Sequence, residues 1–230
     1  KWYRLAAEQG DAEAQRILGA CYYFGTGIRE DKQEAVKWYR LAAEQKNSEA
    51  RWRLGDCYFW GEGIREDKRE AVKWYRLAAE QKNSEARWRL GSCYYFGTGI
   101  REDKREAVKW YRLAAEQKNS EARWRLGSCY YFGTGIREDK QEAVKWYRLA
   151  AEQGNAEAQW RLGDCYFWGE GIREDKQEAV KWYRLAAEQG NAKALKELGD
   201  CYFWGEGIRE DKQEAVKWYR LAAEQGDAEA

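Results

Sequence analysis

The chain has 230 residues, with 41 Lys+Arg against 40 Asp+Glu and no His, Pro or Met. A net charge of +1 gives no global pull toward nucleic acid or anionic lipid, and without His no imidazole serves as base, metal ligand or switch near neutral pH. The 14 Trp and 16 Tyr within a 44% hydrophobic fraction rule out a disordered chain.

The longest stretch without a charge is residues 17–28. About 20 apolar residues are needed to span a bilayer, so no transmembrane helix is expected. The opening Lys1-Trp2-Tyr3-Arg4 leads into no apolar run, so no signal peptide is read there. Without Pro or Met, the chain lacks its usual breaker and start residue, and a piece of a longer or processed product is expected.

Taken in chain order, residues 1–10 form a partial unit, the second helix of a pair. Six units of 36 residues follow, at 11–46, 47–82, 83–118, 119–154, 155–190 and 191–226, and 227–230 begin another. Together they read as one solenoid over 1–230. In the second unit Asn47 caps a first helix that runs to about Trp60. Gly61 and Gly63 end it and permit left-handed backbone. Asp67 caps a second helix, with Glu70 completing an Asp variant of the capping box; that helix ends near Gln81. The residue after it is Gly at 10, 154, 190 and 226 but Lys at 46, 82 and 118. A Lys in the left-handed region costs on the order of 1 kcal/mol, so those turns are the weaker ones.

At 100° per residue, Arg69, Lys73, Arg76 and Glu80 share one narrow face of the second helix. Ala71, Val72, Trp74, Tyr75, Leu77, Ala78 and Ala79 fill an arc of roughly 220°, about twice what a helix on a single core needs. The first helix shows the same excess through Ala50, Leu54, Cys57 and Tyr58 beside Trp52, Gly55 and Phe59. Each pair must therefore be covered by its neighbours, which is the condition for an all-α solenoid. Cys21, Cys57, Cys93, Cys129, Cys165 and Cys201 recur every 36 residues. Stacked equivalents sit roughly 10 Å apart, one helix diameter, beyond the roughly 7 Å that a disulfide bridges. Six free, buried thiols are expected, which favours a reducing compartment.

The strings Tyr-Tyr-Phe-Gly-Thr-Gly-Ile at 22–28 and Glu-Ala-Val-Lys-Trp-Tyr-Arg-Leu-Ala-Ala-Glu-Gln-Gly at 142–154 closely resemble the Sel-1-like repeat, a relative of the tetratricopeptide repeat. The resemblance spans the whole chain. It implies a right-handed superhelix of antiparallel helix pairs, in general an adaptor or scaffold without catalytic activity, with first helices lining a concave side. Some members pin the two helices of a unit by a disulfide. With one Cys per unit, that feature is absent here.

No enzyme is expected, because nearly every polar residue recurs six times and no unique constellation assembles. One Cys per unit gives no zinc set, and the Gly-Glu-Gly and Gly-Thr-Gly turns lack the context of a phosphate loop. No cofactor is implied. Trp38, Trp74, Trp110, Trp146, Trp182 and Trp218 form a column that could stack bases, yet no basic groove accompanies it, so nucleic acid is not an expected partner.

The candidate partner-binding face lies on the first helices: Arg53, Asp56 and Trp60; Arg89, Ser92 and Phe96; Arg125, Ser128 and Phe132; Arg161, Asp164 and Trp168; Asp200 and Trp204. Rings supply area and alternating charges supply register for a peptide or protein partner. Positions 56, 59, 60 and 62 switch together, from Asp, Phe, Trp and Glu to Ser92, Tyr95, Phe96 and Thr98. Block copying of two ancestral units, with the ring at 60 resting on the turn, produces the same pattern. A second column, Trp52, Trp88, Trp124 and Trp160, gives way to Arg16 and Lys196 at its ends. Two further readings fit the repeat: a building block that self-assembles through open ends into a filament or array, and a designed or consensus array with no natural partner.

Overall fold

A computed structural model of the chain describes residues 2–225. Lys1, the closing Gly226 of the sixth unit and the 227–230 start of another lie outside the described residues. Contacts divide the chain into two compact units, Lys1–Gln117 and Lys118–Ala230. The first holds α1 (Trp2–Glu8), α2 (Ala12–Phe24), α3 (Lys32–Glu44), α4 (Ser48–Trp60), α5 (Lys68–Glu80), α6 (Ser84–Phe96) and α7 (Lys104–Glu116). The second holds α8 (Ser120–Phe132), α9 (Lys140–Ala151), α10 (Ala156–Trp168), α11 (Lys176–Glu188), α12 (Ala192–Trp204) and α13 (Lys212–Glu224). No strand occurs among the described residues.

In the first unit α2 packs on α3, α4 on α5 and α6 on α7, and α1, α3 and α5 each also lie on the next first helix. In the second unit α8, α10 and α12 pack on α9, α11 and α13, while α9 and α11 again meet the following first helix. The architecture is thus all-α, of antiparallel helix pairs at 36-residue spacing, and a helix is covered both by its own partner and by a neighbouring pair.

Local chemistry sets the helix limits. Asp11, Asn47, Asn83, Asn119, Asn155 and Asn191 cap the first helices through their side-chain oxygens. The glycine after each is left-handed, as at Gly61 with φ +71°. Asp67 caps α5 by accepting from the Glu70 N–H at 3.0 Å. The reciprocal half of the capping box is not made. The Glu70 carboxylate turns instead to Lys73 Nζ at 2.7 Å, and the same lysine pairing recurs at Glu34, Glu106, Glu142, Glu178 and Glu214. An ammonium one turn away attracts the carboxylate more strongly than a neutral amide does. Lys46, Lys82 and Lys118 adopt φ of 66–67°, as expected.

Inside each pair, a tyrosine of the second helix lies over a glycine of the first. A Cβ on Gly55 would sit 2.6 Å from the Tyr75 ring, so only glycine lets the phenol through. Tyr75, Tyr111, Tyr147 and Tyr183 are fully buried on this account. Leu77 departs from the covered arc read in the sequence. It is 39% exposed, and its equivalents Leu41, Leu113, Leu149, Leu185 and Leu221 are exposed as well. The buried arc is narrower because alanines and the tyrosine, not the leucine, meet the first helices.

Successive pairs join through the second glycine of the turn. A Cβ on Gly63 would lie 2.0 Å from the Lys32 carbonyl oxygen of the preceding pair, and Gly99, Gly171 and Gly207 meet Lys68, Lys140 and Lys176 in the same way. The Gly-x-Gly motif is therefore a helix stop followed by a backbone joint.

Candidate functional site

The first helices end in one large exposed ring each. Phe24, Trp60 and Phe96 in the first unit, with Phe132, Trp168 and Trp204 in the second, are 57–68% exposed. Each is the last helical residue, so the left-handed glycine that follows turns the chain away and leaves the ring uncovered. The ring is nevertheless propped. Trp60 meets the edge of Phe59 at 4.8 Å between centroids, and Phe59 rests on Tyr75 at 6.2 Å. An arginine stands beside the rings of Phe24 and Phe132: Arg53 lies 3.9 Å over the Trp52 ring and 5.9 Å from that of Phe24, and Arg161 lies 4.2 Å over Trp160 and 5.4 Å from Phe132, whereas Trp60 has Lys68 Nζ 5.4 Å from its ring. Arg89 and Arg125 stack on Trp88 and Trp124 likewise. Each guanidinium also faces an acid, as Arg53 does Glu49 at 3.4 Å and Arg125 does Glu121 at 3.5 Å.

The remaining candidate residues turn inward. Asp56 accepts from the Tyr75 hydroxyl at 2.5 Å and from Arg89 Nη2 of the next pair at 3.3 Å. Burial raises its pKa, opposed by Arg89 and the phenol. Asp164 and Asp200 accept from Tyr183 and Tyr219 at 2.8 and 2.6 Å. Ser92 and Ser128 share hydrogen bonds with the Tyr111 and Tyr147 hydroxyls at 3.1 and 3.2 Å. Position 56 therefore supplies a partner to the buried phenol of its own pair.

Position 62 is wired between pairs. Glu62 accepts from Lys32 Nζ at 2.6 Å and from the Tyr23 hydroxyl, both of the preceding pair. Glu170 does the same with Lys140 and Tyr131. Where the position is Thr98, Lys68 instead bonds to the Phe59 carbonyl oxygen. Of the four positions that switch together, only 60 faces solvent.

A contact ladder was missed in the sequence. Arg51 donates to the Ala43 carbonyl oxygen at 3.0 Å and to Gln81 at 3.0 Å, neutralising the exposed carbonyl end of α3. Its signal is legible in retrospect. A Lys turn is followed five residues on by Arg, at 46/51, 82/87 and 118/123, whereas Gly10 and Gly154 are followed by Gln15 and Gln159.

One unit breaks the tyrosine rule and allows a test. Ala20 stands where Asp56 and Ser92 stand, and the buried Tyr39 hydroxyl has no hydrogen-bond partner. Ala20→Ser should raise stability by about 1 kcal/mol. Tyr39→Phe should be nearly neutral, whereas Tyr75→Phe should cost about 1–2 kcal/mol. Denaturant melts of the three variants decide this; equal losses at 39 and 75 would contradict it.

The other sequence features resolve as follows. The six cysteines are free, and all but Cys21 are buried. Burial pushes the Cys57, Cys93, Cys165 and Cys201 thiols up to about 12, far from a reactive thiolate. Trp52 and Trp160 are buried and Trp88 and Trp124 half-buried under their arginines. Trp74 and Trp182 pack against the alanine- and leucine-rich cores rather than offering open faces for bases. Among the described residues no three His, Cys, Asp or Glu side chains are grouped to hold a metal ion, and no helix is long and apolar enough to cross a membrane.

Comparison with known proteins bears on the same geometry. The Sel1 repeat family pattern matches residues 1–11, 12–47, 48–83, 84–119, 120–155, 156–191 and 192–227. A crystal structure of a protective antigen of uropathogenic Escherichia coli strains, displaying an SLR fold, superposes with TM-score 0.87 at 38% identity over 99% of this chain; the chain spans 49% of that protein. A Sel1 repeat protein from Oxalobacter formigenes superposes with TM-score 0.86 at 37% identity, covering 96% of this chain and 88% of the other. An immunity protein from Pseudomonas aeruginosa, at 19% identity and TM-score 0.58 over 93% of this chain and 81% of its own, shares the fold alone. No curated protein matches the chain.

Proposed function

Because this chain belongs to the Sel1 repeat family, whose members are in general protein-interaction scaffolds, we propose that it is a non-catalytic scaffold holding a peptide or protein partner on its first-helix face. One observation carries the reading: an exposed large ring ends the first helix of all six pairs, held edge-on by the ring beneath it. A ring already fixed in place loses little conformational freedom on binding, and aromatic and arginine side chains dominate binding energy at protein interfaces. Arg53 beside Phe24 and Arg161 beside Phe132 offer charge-assisted hydrogen bonds to the same partner. Asp56, Asp164, Asp200, Ser92 and Ser128 act in this reading as supports for the second-helix phenols rather than as contacts.

Selection of displayed peptides against the wild-type chain tests the reading. Selected peptides should lose at least about tenfold in affinity to a chain carrying Trp60→Ala, Trp168→Ala and Trp204→Ala. Helicity should stay unchanged, since all three rings are more than half exposed. Undiminished binding by that variant would remove the first-helix face as the site.

A further inference from the structure

The second helices carry a surface that the first-helix face does not use. Leu41, Leu77 and Leu113 of the first unit are 38–44% exposed amid charged neighbours, as are Leu149, Leu185 and Leu221 of the second. With Leu5 of α1, 53% exposed, the first unit shows a leucine at this helical position four times, and the second unit three times. Leu41 opens onto a cleft of about 440 Å³ with Val36 and Ile64 in its wall and Lys37, Arg40 and Glu44 around it. Equivalent positions line clefts of about 510 and 420 Å³ against α9 and α11.

The charges around this leucine have an order. Arg40 stands one residue before it and Glu44 three residues after it. Lys37 is held by Glu34 at 2.7 Å. Arg40 donates to a neutral group, the Tyr58 hydroxyl, at 2.8 Å, and Arg76 donates to that of Tyr94 at 2.9 Å. Neither arginine, nor Glu44 or Glu80, has an ion-pair partner among the described residues. The surface therefore holds a cation and an anion one helical turn apart, straddling an apolar knob.

A second copy of the same surface complements that order. Two such helices laid antiparallel about a two-fold axis level with Ala42 set Arg40 of each against Glu44 of the other and bring the leucines together beside the axis. A closed two-fold contact makes every such pair twice, and the repeat multiplies it along the unit. A parallel arrangement would bring like charges level. We propose that the chain self-associates back to back through its second helices, antiparallel, with the leucines as the apolar seam and the Arg40–Glu44 and Arg76–Glu80 positions setting the register.

Light scattering of the full chain on size exclusion, over a range of concentrations at low salt, tests this. The mass should rise with concentration from 27.1 kDa toward twice that value. A chain with Arg40→Glu and Arg76→Glu, and another with Glu44→Arg and Glu80→Arg, should each associate about tenfold or more weakly than the wild type, and an equimolar mixture of the two should recover. Leu41→Gln with Leu77→Gln should weaken association without altering charge, and circular dichroism should find the helices of every variant intact. A wild type that stays monomeric throughout overturns the proposal and leaves the clefts to another occupant. Association that is indifferent to both charge reversals, or that mixing does not restore, overturns it too and moves the contact elsewhere on the chain.

Discussion

Gly63→Ala is expected to lower stability by about 3 kcal/mol, and Gly27→Ala by only about 1 kcal/mol. Both glycines hold the same place in the same turn, with φ of +71° and +70°. The cost of putting an alanine in the left-handed region is therefore common to both and cancels in the comparison. What differs is the neighbour. An added Cβ at 63 would lie 2.0 Å from the Lys32 carbonyl oxygen and 2.8 Å from the Gln33 nitrogen, whereas at 27 it meets nothing within 4 Å. Backbone cannot rotate away as a side chain can, so the two pairs must separate, and with them the Lys32–Glu62 and Tyr23–Glu62 bonds. Denaturant melts of the two variants measure the difference directly. Equal losses would mean that the turn, not the joint between pairs, is what the second glycine serves.

The second large effect concerns pH. Asp164 is pushed up from 3.8 to about 6, by burial first, with Tyr183, Arg161 and Lys193 opposing. In the first unit the matching Asp56 has Arg89 of the next pair at 3.2 Å. In the second unit the position of Arg89 is Glu197, so that arginine is missing from the joint. A carboxylate with a raised folded pKa binds its proton more tightly in the folded state. Stability from this group is greatest below pH 3.8, falls as pH climbs through about 6, and is level above it. The full span is at most about 3 kcal/mol. Asp164→Asn keeps an oxygen acceptor for the Tyr183 hydroxyl and abolishes the titration. It should therefore exceed the wild type in melting temperature at neutral pH and match it near pH 4. Glu197→Arg should also raise neutral-pH stability, by restoring the base found at 89. If the wild type and Asp164→Asn keep a constant difference across that range, the burial of Asp164 does not govern the joint.

These two residues mark where sequence reading reached and where it stopped. Gly63 is visible as a periodic glycine, and its left-handed backbone follows from the residue type alone. That its Cβ position is occupied by the Lys32 carbonyl oxygen is not visible, because the contact spans 31 residues and depends on how one pair settles on the next. Asp56 and Asp164 fall on the polar side of a helical projection, which measures angle and not depth. The projection cannot show that a phenol from the second helix closes over both, or that an arginine of the next pair reaches Asp56 and not Asp164. Leu77 fails in the opposite sense, being apolar by type and exposed by position.

The exposed rings were legible for a simple reason. A last helical residue before a left-handed glycine has no following turn to cover it, so Trp60 and its equivalents stand out in any arrangement of the pairs. The 36-residue repeat, the helix limits and their caps, and the need for each pair to be covered by its neighbours follow from the residues alone, since all of these rest on interactions within a few residues or on total apolar surface. Docking of the pairs settles the rest: that positions 56, 59 and 62 are taken up by contacts with other helices, how Lys32 chooses between Glu62 and a backbone oxygen at its equivalents, and which apolar side chains remain outside. Those outcomes depend on contacts between side chains some 30 to 39 residues apart, and their geometry exists only once two helix pairs have docked.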